Sequence, residues 1–287
     1  MVFTFRTRKG NYHSTTLTAF LVPVITLVLA IGVSIAAAVM EAKYQEYYEK
    51  TCEALVSGRT SITLKKTMLS EMAVKRAVFS TPELFIVDSY SYISMNDTVT
   101  YMFNINSYAG DYERNLERFN SAVDSIAGSA PGFSNDREAV KWIHDYIIEN
   151  YEYDHSLASG NALSMIERGV GTCNGYTSLF SALAKRFGIE YGVKTNSDHT
   201  WNAVKLGFKW YHVDVTWDDN GTEPGYDYYL KTDSEFLALD HGGWEDTGVS
   251  LAMFEDIRNT LMVISGAVFA LLTVLSLLPM VYAYFKK

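Results

Sequence analysis

GVGTCNGYTSLFSALAKRF, residues Gly169–Phe187, passes from a glycine-rich turn through Cys173 into an amphipathic segment. Tyr176, Leu179, Phe180, Leu183, Ala184 and Phe187 recur at i, i+3, i+4, i+7, i+8 and i+11, the spacing of one helical face. Gly188 supplies the left-handed residue that stops such a helix. Cys173 therefore stands at a helix N-terminus, where unpaired amides and the helix dipole favour an anion and a thiol can ionise. A small apolar residue tucked at a helix start would look the same. Position alone leaves a nucleophile and a buried thiol equally open.

The surrounding chain has 287 residues, 48% of them hydrophobic, but unevenly spread. Leu17–Met40 and Asn259–Phe285, 24 and 27 residues long, carry no charge. Each exceeds the roughly 20 residues that cross a bilayer core as a helix. Arg6, Arg8 and Lys9 precede the first segment, and Lys286 and Lys287 follow the second. Basic flanks stay on the cytoplasmic side, so both termini are expected inside the cell membrane and the middle of the chain outside. Ala36 and Ala38 resemble a signal-peptide cleavage site, but the apolar run is long for one, which favours an uncleaved anchor. Pro23 is a candidate kink. The second segment could also be a buried soluble helix, but its length and lack of charge favour a span.

The expected organisation is a basic cytoplasmic N-terminus (1–16), a first span (17–40), an extracytoplasmic helical and β-hairpin region (41–134), a core (135–250) and a second span (259–285). Between Glu41 and Arg258 there is enough chain for a substantial buried core. Formal net charge is −9, the acidic residues lie mostly in the middle portion, and no Lys/Arg stripe appears. Nucleic-acid binding is therefore excluded. Two cysteines make no disulfide framework, and Cys52 is given no catalytic role.

Outward from Cys173, the upstream chain reads as a polar helix over Glu41–Leu55, with Tyr44, Tyr47 and Tyr48 placed as interfacial anchors. A helix over Leu64–Phe79 follows. Leu84–Ile93 and Thr98–Asn106 form a hairpin around Met95-Asn96-Asp97. Helices are expected over Asp111–Ala127, Asp136–Tyr151 (capped by Ser134 or Asn135) and Ala162–Arg168. Downstream the period changes: Tyr191–Thr195, His199–Leu206, Lys209–Trp217 and Tyr226–Leu230 read as strands. The class is α+β.

A thiol hydrolase or acyl transferase needs an imidazole to take the thiol proton and a third group to orient that imidazole. Gly207-Phe208 suits a two-residue hairpin turn. That register pairs Leu206 with Lys209 and brings Trp201 opposite Asp214, so His199 and Asp214 become diagonal neighbours on one face. His212 shares that face and remains a competing base. A metal site from His199, His212 and Asp214 is a third reading, but no further residue has metal-ligand spacing, so no metal or cofactor is expected. Asp218-Asp219-Asn220-Gly221 reads as a turn, because it lacks the later ligands of a calcium loop. Trp201, Trp210 and Trp217 are expected mostly in the core.

The boxes Cys173-Asn174-Gly175-Tyr176, His199-Thr200-Trp201-Asn202 and Asp214-Val215-Thr216-Trp217-Asp218 resemble the transglutaminase-like superfamily of papain-type thiol enzymes, and within it the bacterial domains. YDYYLKTDSEFLALDHGGW, with His241 and Trp244, is similar to the end of such domains. The resemblance implies a papain/transglutaminase-like core, with the nucleophile helix packed on an antiparallel sheet, here between two transmembrane helices. It implies Cys173 as nucleophile, His199 as general base and acid, and Asp214 as the group that orients the imidazole. It thereby chooses His199 over His212. The implied function is a membrane-anchored enzyme that acts on amide bonds of proteins or envelope peptides through an acyl-enzyme, as hydrolase or acyl transferase. A catalytically silent binding module at the cell envelope is the alternative. Animal cross-linking enzymes of the family carry Trp after the cysteine; Asn174 stands here, which points away from cross-linking. The second oxyanion donor is left open among Trp142, Tyr151 and Tyr153.

Overall fold

A computed structural model describes residues 13–156, 160–221 and 223–246, with positions 263, 264, 266, 267, 270 and 271. Two compact units divide the chain, 43–250 and 1–42 with 251–287. Helix α1 (His13–Val56) runs from one into the other, and most side chains between 13 and 33 lie outside the described residues, as does most of 259–285. Among the described residues no helix is long and apolar enough to cross a membrane, so the two expected spans find no support there. Tyr44 and Tyr47 are buried rather than interfacial. The Arg76 guanidinium lies 5.8 Å from the Tyr44 ring and 4.3 Å from the Tyr48 ring, and these tyrosines pack in the larger unit.

The helix expected over Leu64–Phe79 is split. Ser61–Lys65 is strand β1, where Ile62 and Thr63 favour the pleat, and α2 (Met68–Phe79) begins after Thr67. Thr67 and Ser70 close a capping box, with Ser70 N donating to Thr67 Oγ1 at 3.1 Å, and this fixes the boundary inside the run. A turn at Pro82–Leu84 precedes β2 (Val87–Met95), which pairs with β3 (Thr98–Ile105) around Asn96-Asp97. Asn96 takes φ +52°, as such a two-residue turn requires. The small sheet has order β1-β3-β2, all antiparallel.

Helices α3 (Tyr112–Gly128) and α4 (Asp136–Asn150) bury Phe119, Val123 and Ile126, and Val140, Ile143 and Ile147. Asn135 caps α4 by accepting from Glu138 N at 3.1 Å. Next come β4 (Glu152–Tyr153), α5 (Ala162–Arg168) and β5 (Val170–Gly171); β4 and β5 pair in parallel. Helix α6 (Cys173–Arg186) buries Tyr176, Leu179, Phe180, Leu183 and Ala184 completely or nearly so. Full burial of each large apolar chain is worth about 1.5–3 kcal/mol, so this one face anchors the helix. Gly188 ends it at φ +71°, with Ile189 N reaching back to Ala184 O at 2.9 Å.

The second sheet follows: β6 (Tyr191–Thr195), β7 (Thr200–Leu206), β8 (Lys209–Val213), the short helix α7 (Val215–Asp218), β9 (Tyr229–Lys231), α8 (Asp233–Ala238) and β10 (Glu245–Asp246). Its order is β10-β6-β7-β8-β9, antiparallel throughout. Helix α6 is tied to β7 by polar bonds. Thr177 Oγ1 donates to Thr200 O at 3.0 Å, and Asn202 Nδ2 donates to Ser181 Oγ at 2.8 Å. The β7–β8 hairpin turns at Gly207-Phe208, with Gly207 at φ +64° and Phe208 101% exposed. The α+β core with a helix on an antiparallel sheet is thus the architecture of the described chain.

Candidate active site

Cys173 is the first residue of α6, half-buried and not in a disulfide. The chain is led into that position by the β4–β5 pair. Glu152 N donates to Gly169 O at 3.1 Å and Asp154 N to Gly171 O at 2.8 Å. Gly171 leaves room for the Met165 side chain of α5, because a Cβ there would lie 2.5 Å from Met165 Sδ. The first amides of α6 are left without intrahelical partners around the thiol.

His199 sits just before β7, in a turn built by Asn196. Asn196 Oδ1 accepts from Asp198 N (3.2 Å) and His199 N (2.9 Å), and Asn196 N donates to His199 O (3.0 Å). The register follows the Gly207-Phe208 turn: Leu206 faces Lys209 and Asn202 faces Val213, which sets Trp201 opposite Asp214. The strand expected over Lys209–Trp217 stops at Val213. Asp214 leaves the ladder to cap α7, with its Oδ1 accepting from Trp217 N at 3.1 Å. Aspartate competes for backbone amides in this way, which ends the strand early.

Asp214 is fully buried, and its Oδ2 accepts from His199 Nε2–H at 2.7 Å. Burial raises the Asp214 pKa, but bonds from His199 and His241 outweigh it and hold the carboxyl below its ordinary value. Burial pulls His199 down, yet its bonds to Asp214 and to Cys173 push it up to about 9. With Nε2–H committed to Asp214, the other ring nitrogen is the one free to exchange a proton with the thiol.

The remaining histidines separate by their partners. Buried His212 does not reach Asp214: its Nδ1 accepts from Trp201 Nε1 (2.9 Å) and its Nε2 bonds Asp233 Oδ1 (3.0 Å). His144, also buried, bonds Asp145 Oδ1 through Nδ1 (2.9 Å) and Asp218 Oδ2 through Nε2 (3.1 Å). His241 takes the place next to Asp214 that His212 was a candidate for, with Nε2 2.8 Å from Oδ2. His199, Asp214 and His241 offer ligand atoms within 4.8 Å of one another, so these three, not the His199–His212–Asp214 set, are the group that could hold a metal ion.

Among the oxyanion candidates, Trp142 stacks on Tyr146 and packs against Phe187, and Tyr151 is buried. Tyr153 lies beside Cys173; burial first, and then the Cys173 charge, raise its pKa. Trp217 departs from the core expectation, being 45% exposed, with its ring centroid 5.6 Å from His199 and 4.2 Å from His241. Trp201 is buried as expected. Asp219 Oδ1 accepts from Gly221 N at 2.9 Å, an Asx turn.

Residues 124–215 match the model of the transglutaminase-like superfamily. The matched stretch, about a third of the chain, runs from the end of α3 to the start of α7. The kyphoscoliosis peptidases of Mus musculus and Homo sapiens are both 26% identical to it, over 129 and 128 residues. Each alignment covers 37% of this chain and 20% or 19% of the relative, so the chain spans about a fifth of the length of these relatives. A transglutaminase crystal structure is similar over 57% of this chain and 52% of its own, with 16% identity and a TM-score of 0.30.

Proposed function

We propose that this protein is a membrane-anchored thiol enzyme that cleaves or transfers amide bonds of proteins or envelope peptides. The observation that carries the reading is His199, held by the buried carboxylate of Asp214 at 2.7 Å and raised in pKa by both Asp214 and Cys173 at the α6 N-terminus. His199 takes the Cys173 proton, and the thiolate attacks the substrate carbonyl. The α6 amides stabilise the oxyanion, with the Tyr153 hydroxyl as the second donor. His199–H⁺ then gives its proton to the leaving amine as the C–N bond breaks. Water or an acceptor amine attacks the thioester as His199 takes its proton; the C–S bond then breaks and His199–H⁺ returns the proton to the leaving thiolate.

A small cleft of about 40 Å³ lies next to the first turn of α6, lined by Phe79, Leu84, Phe85, Asn161, Asn174 and Ser178. With Asn174 in the cleft, hydrolysis is the favoured outcome over cross-linking. The uncharged runs at 17–40 and 259–285 support anchoring through two spans, with both termini cytoplasmic and the core outside.

Iodoacetamide alkylation of the full chain at neutral pH tests the core of the proposal. His199→Ala should slow Cys173 modification by about 10²-fold or more. Equal rates in the two proteins would sink the activated-thiol reading and leave a binding module. Acyl-enzyme mass on Cys173 after exposure to an envelope peptide library would identify the substrate.

A further inference from the structure

Asp214 holds two imidazoles on one oxygen. His199 Nε2 lies 2.7 Å and His241 Nε2 2.8 Å from Oδ2, while Oδ1 takes the Trp217 amide at 3.1 Å. The His241 ring is almost completely enclosed. It stacks on Trp217 (4.2 Å) and Phe236 (4.5 Å) and touches Trp201 (4.5 Å). The chain is bent to put it there. Asp240 has φ +59° and Gly243 φ +73°, and His241 N closes onto Phe236 O at 3.3 Å. A left-handed aspartate is costly and persists where the surroundings over-determine it. Simple filling of an aromatic box would need neither that bend nor a ring nitrogen aimed at a carboxylate.

We propose that His241 is a positioning residue for the thiol chemistry: its Nε2–H pins the Asp214 carboxylate so that Oδ2 stays on His199 Nε2–H. This keeps the His199 tautomer whose other nitrogen faces Cys173. The inference rests on the Cys173–His199–Asp214 triad proposed above. A fully buried carboxylate stays ionised only while its donors are in place. Removing one of three donors makes Asp214 easier to protonate and frees it to swing from His199. The other titratable groups around this pair are Cys173 on α6, His212 on β8 with Asp233 on α8, Asp218 at the end of α7 and Tyr228 just before β9. His212 is committed to Trp201 and Asp233, so it does not replace the missing donor.

The test is the pH dependence of iodoacetamide alkylation at Cys173 in the full chain, for wild type, H241F and H241Q. H241F keeps the aromatic stack and loses the N–H; H241Q keeps an N–H and loses the stack. H241F should react about 10-fold more slowly at neutral pH. Its acid limb should move up by about one pH unit, and H241Q should recover most of both. The reverse order, with H241F like wild type and H241Q damaged, would overturn the positioning role and leave a packing role. If His199→Ala also fails to slow the wild-type thiol, the triad itself falls; if it slows it while H241F follows the wild-type profile, only the present inference falls. Should H241F not fold, ¹⁵N-histidine NMR of wild type decides. A proton on His241 Nε2 supports the inference, and a bare Nε2 overturns it.

Discussion

Asp214 and Asp218 bracket one short helix, and each binds a histidine, yet they build different things. Asp214 caps α7 and meets His199, whose side chain is 10% exposed and whose other edge turns to Cys173. Asp218 ends α7 and meets His144, which is 0% exposed and has both nitrogens tied to carboxylates, Asp218 and Asp145. Asp218 is satisfied further by Tyr228 N at 2.9 Å. A histidine–aspartate pair is therefore not by itself a catalytic sign. What separates the two is the second partner: His144 has another carboxylate, Asp145, whereas His199 has the Cys173 thiol, which raises its pKa.

The largest expected effect comes from breaking the first pair alone. Asp214→Asn keeps the shape but lets His199 take the wrong tautomer, and should cut Cys173 alkylation and any turnover by about 10³-fold or more. Asp218→Asn should leave the rate within a few-fold. Equal losses in the two variants would erase the distinction. Next in size is His144→Ala, which leaves Asp218 buried without its cationic partner. Such a loss costs about 3–5 kcal/mol, or about 10 °C in melting temperature for a domain of this size. Calorimetry should detect it, while the folded fraction keeps wild-type thiol reactivity.

The smallest effect is the pH dependence of stability, where the two pairs act together. Burial opposes protonation of His144, but Asp145 and Asp218 raise its pKa, as Asp214 and Cys173 raise His199 to about 9. Both histidines hold their protons more tightly folded than unfolded. Their contribution is thus fully present below about pH 6.5 and fades as pH rises through the folded values. Asp214, whose pKa is lowered, contributes above about pH 4 and loses that contribution as pH falls. Melting temperature should peak in weak acid and decline towards pH 9, with a shallower decline in His144→Phe. A flat profile in wild type would contradict both shifts.

Much of this arrangement was legible in the residues. The period of Tyr176, Leu179, Phe180, Leu183 and Ala184 gave α6, and Gly188 gave its end. The Gly207-Phe208 turn fixed the register that brings His199 towards Asp214. Other features had no periodic signal. Ser61–Lys65 is short, and only its last two residues, Leu64 and Lys65, fall in the run that reads as a helix. The strand ended at Val213 because the Asp214 side chain took a backbone amide, a local contest that alternation does not encode. His241 lies 27 positions beyond Asp214 and reaches it through a left-handed Asp240. Its place was visible only as a histidine near Trp244. Tyr44 and Tyr47 read as membrane-facing but are buried, and the Arg76 guanidinium of α2 lies over the Tyr44 ring, a contact that proximity in sequence does not announce.

The β7–β8 hairpin also has two unlike ends. His199 and Asp214 occupy the end where the strands stop, and the Gly207-Phe208 turn occupies the other, about 20 Å away at 3.3 Å per residue. Phe208 points fully into solvent there. That tip is accordingly an attachment point: a fluorophore or short tag inserted after Gly207 would report on the domain while leaving His199 and Asp214 at the far end undisturbed.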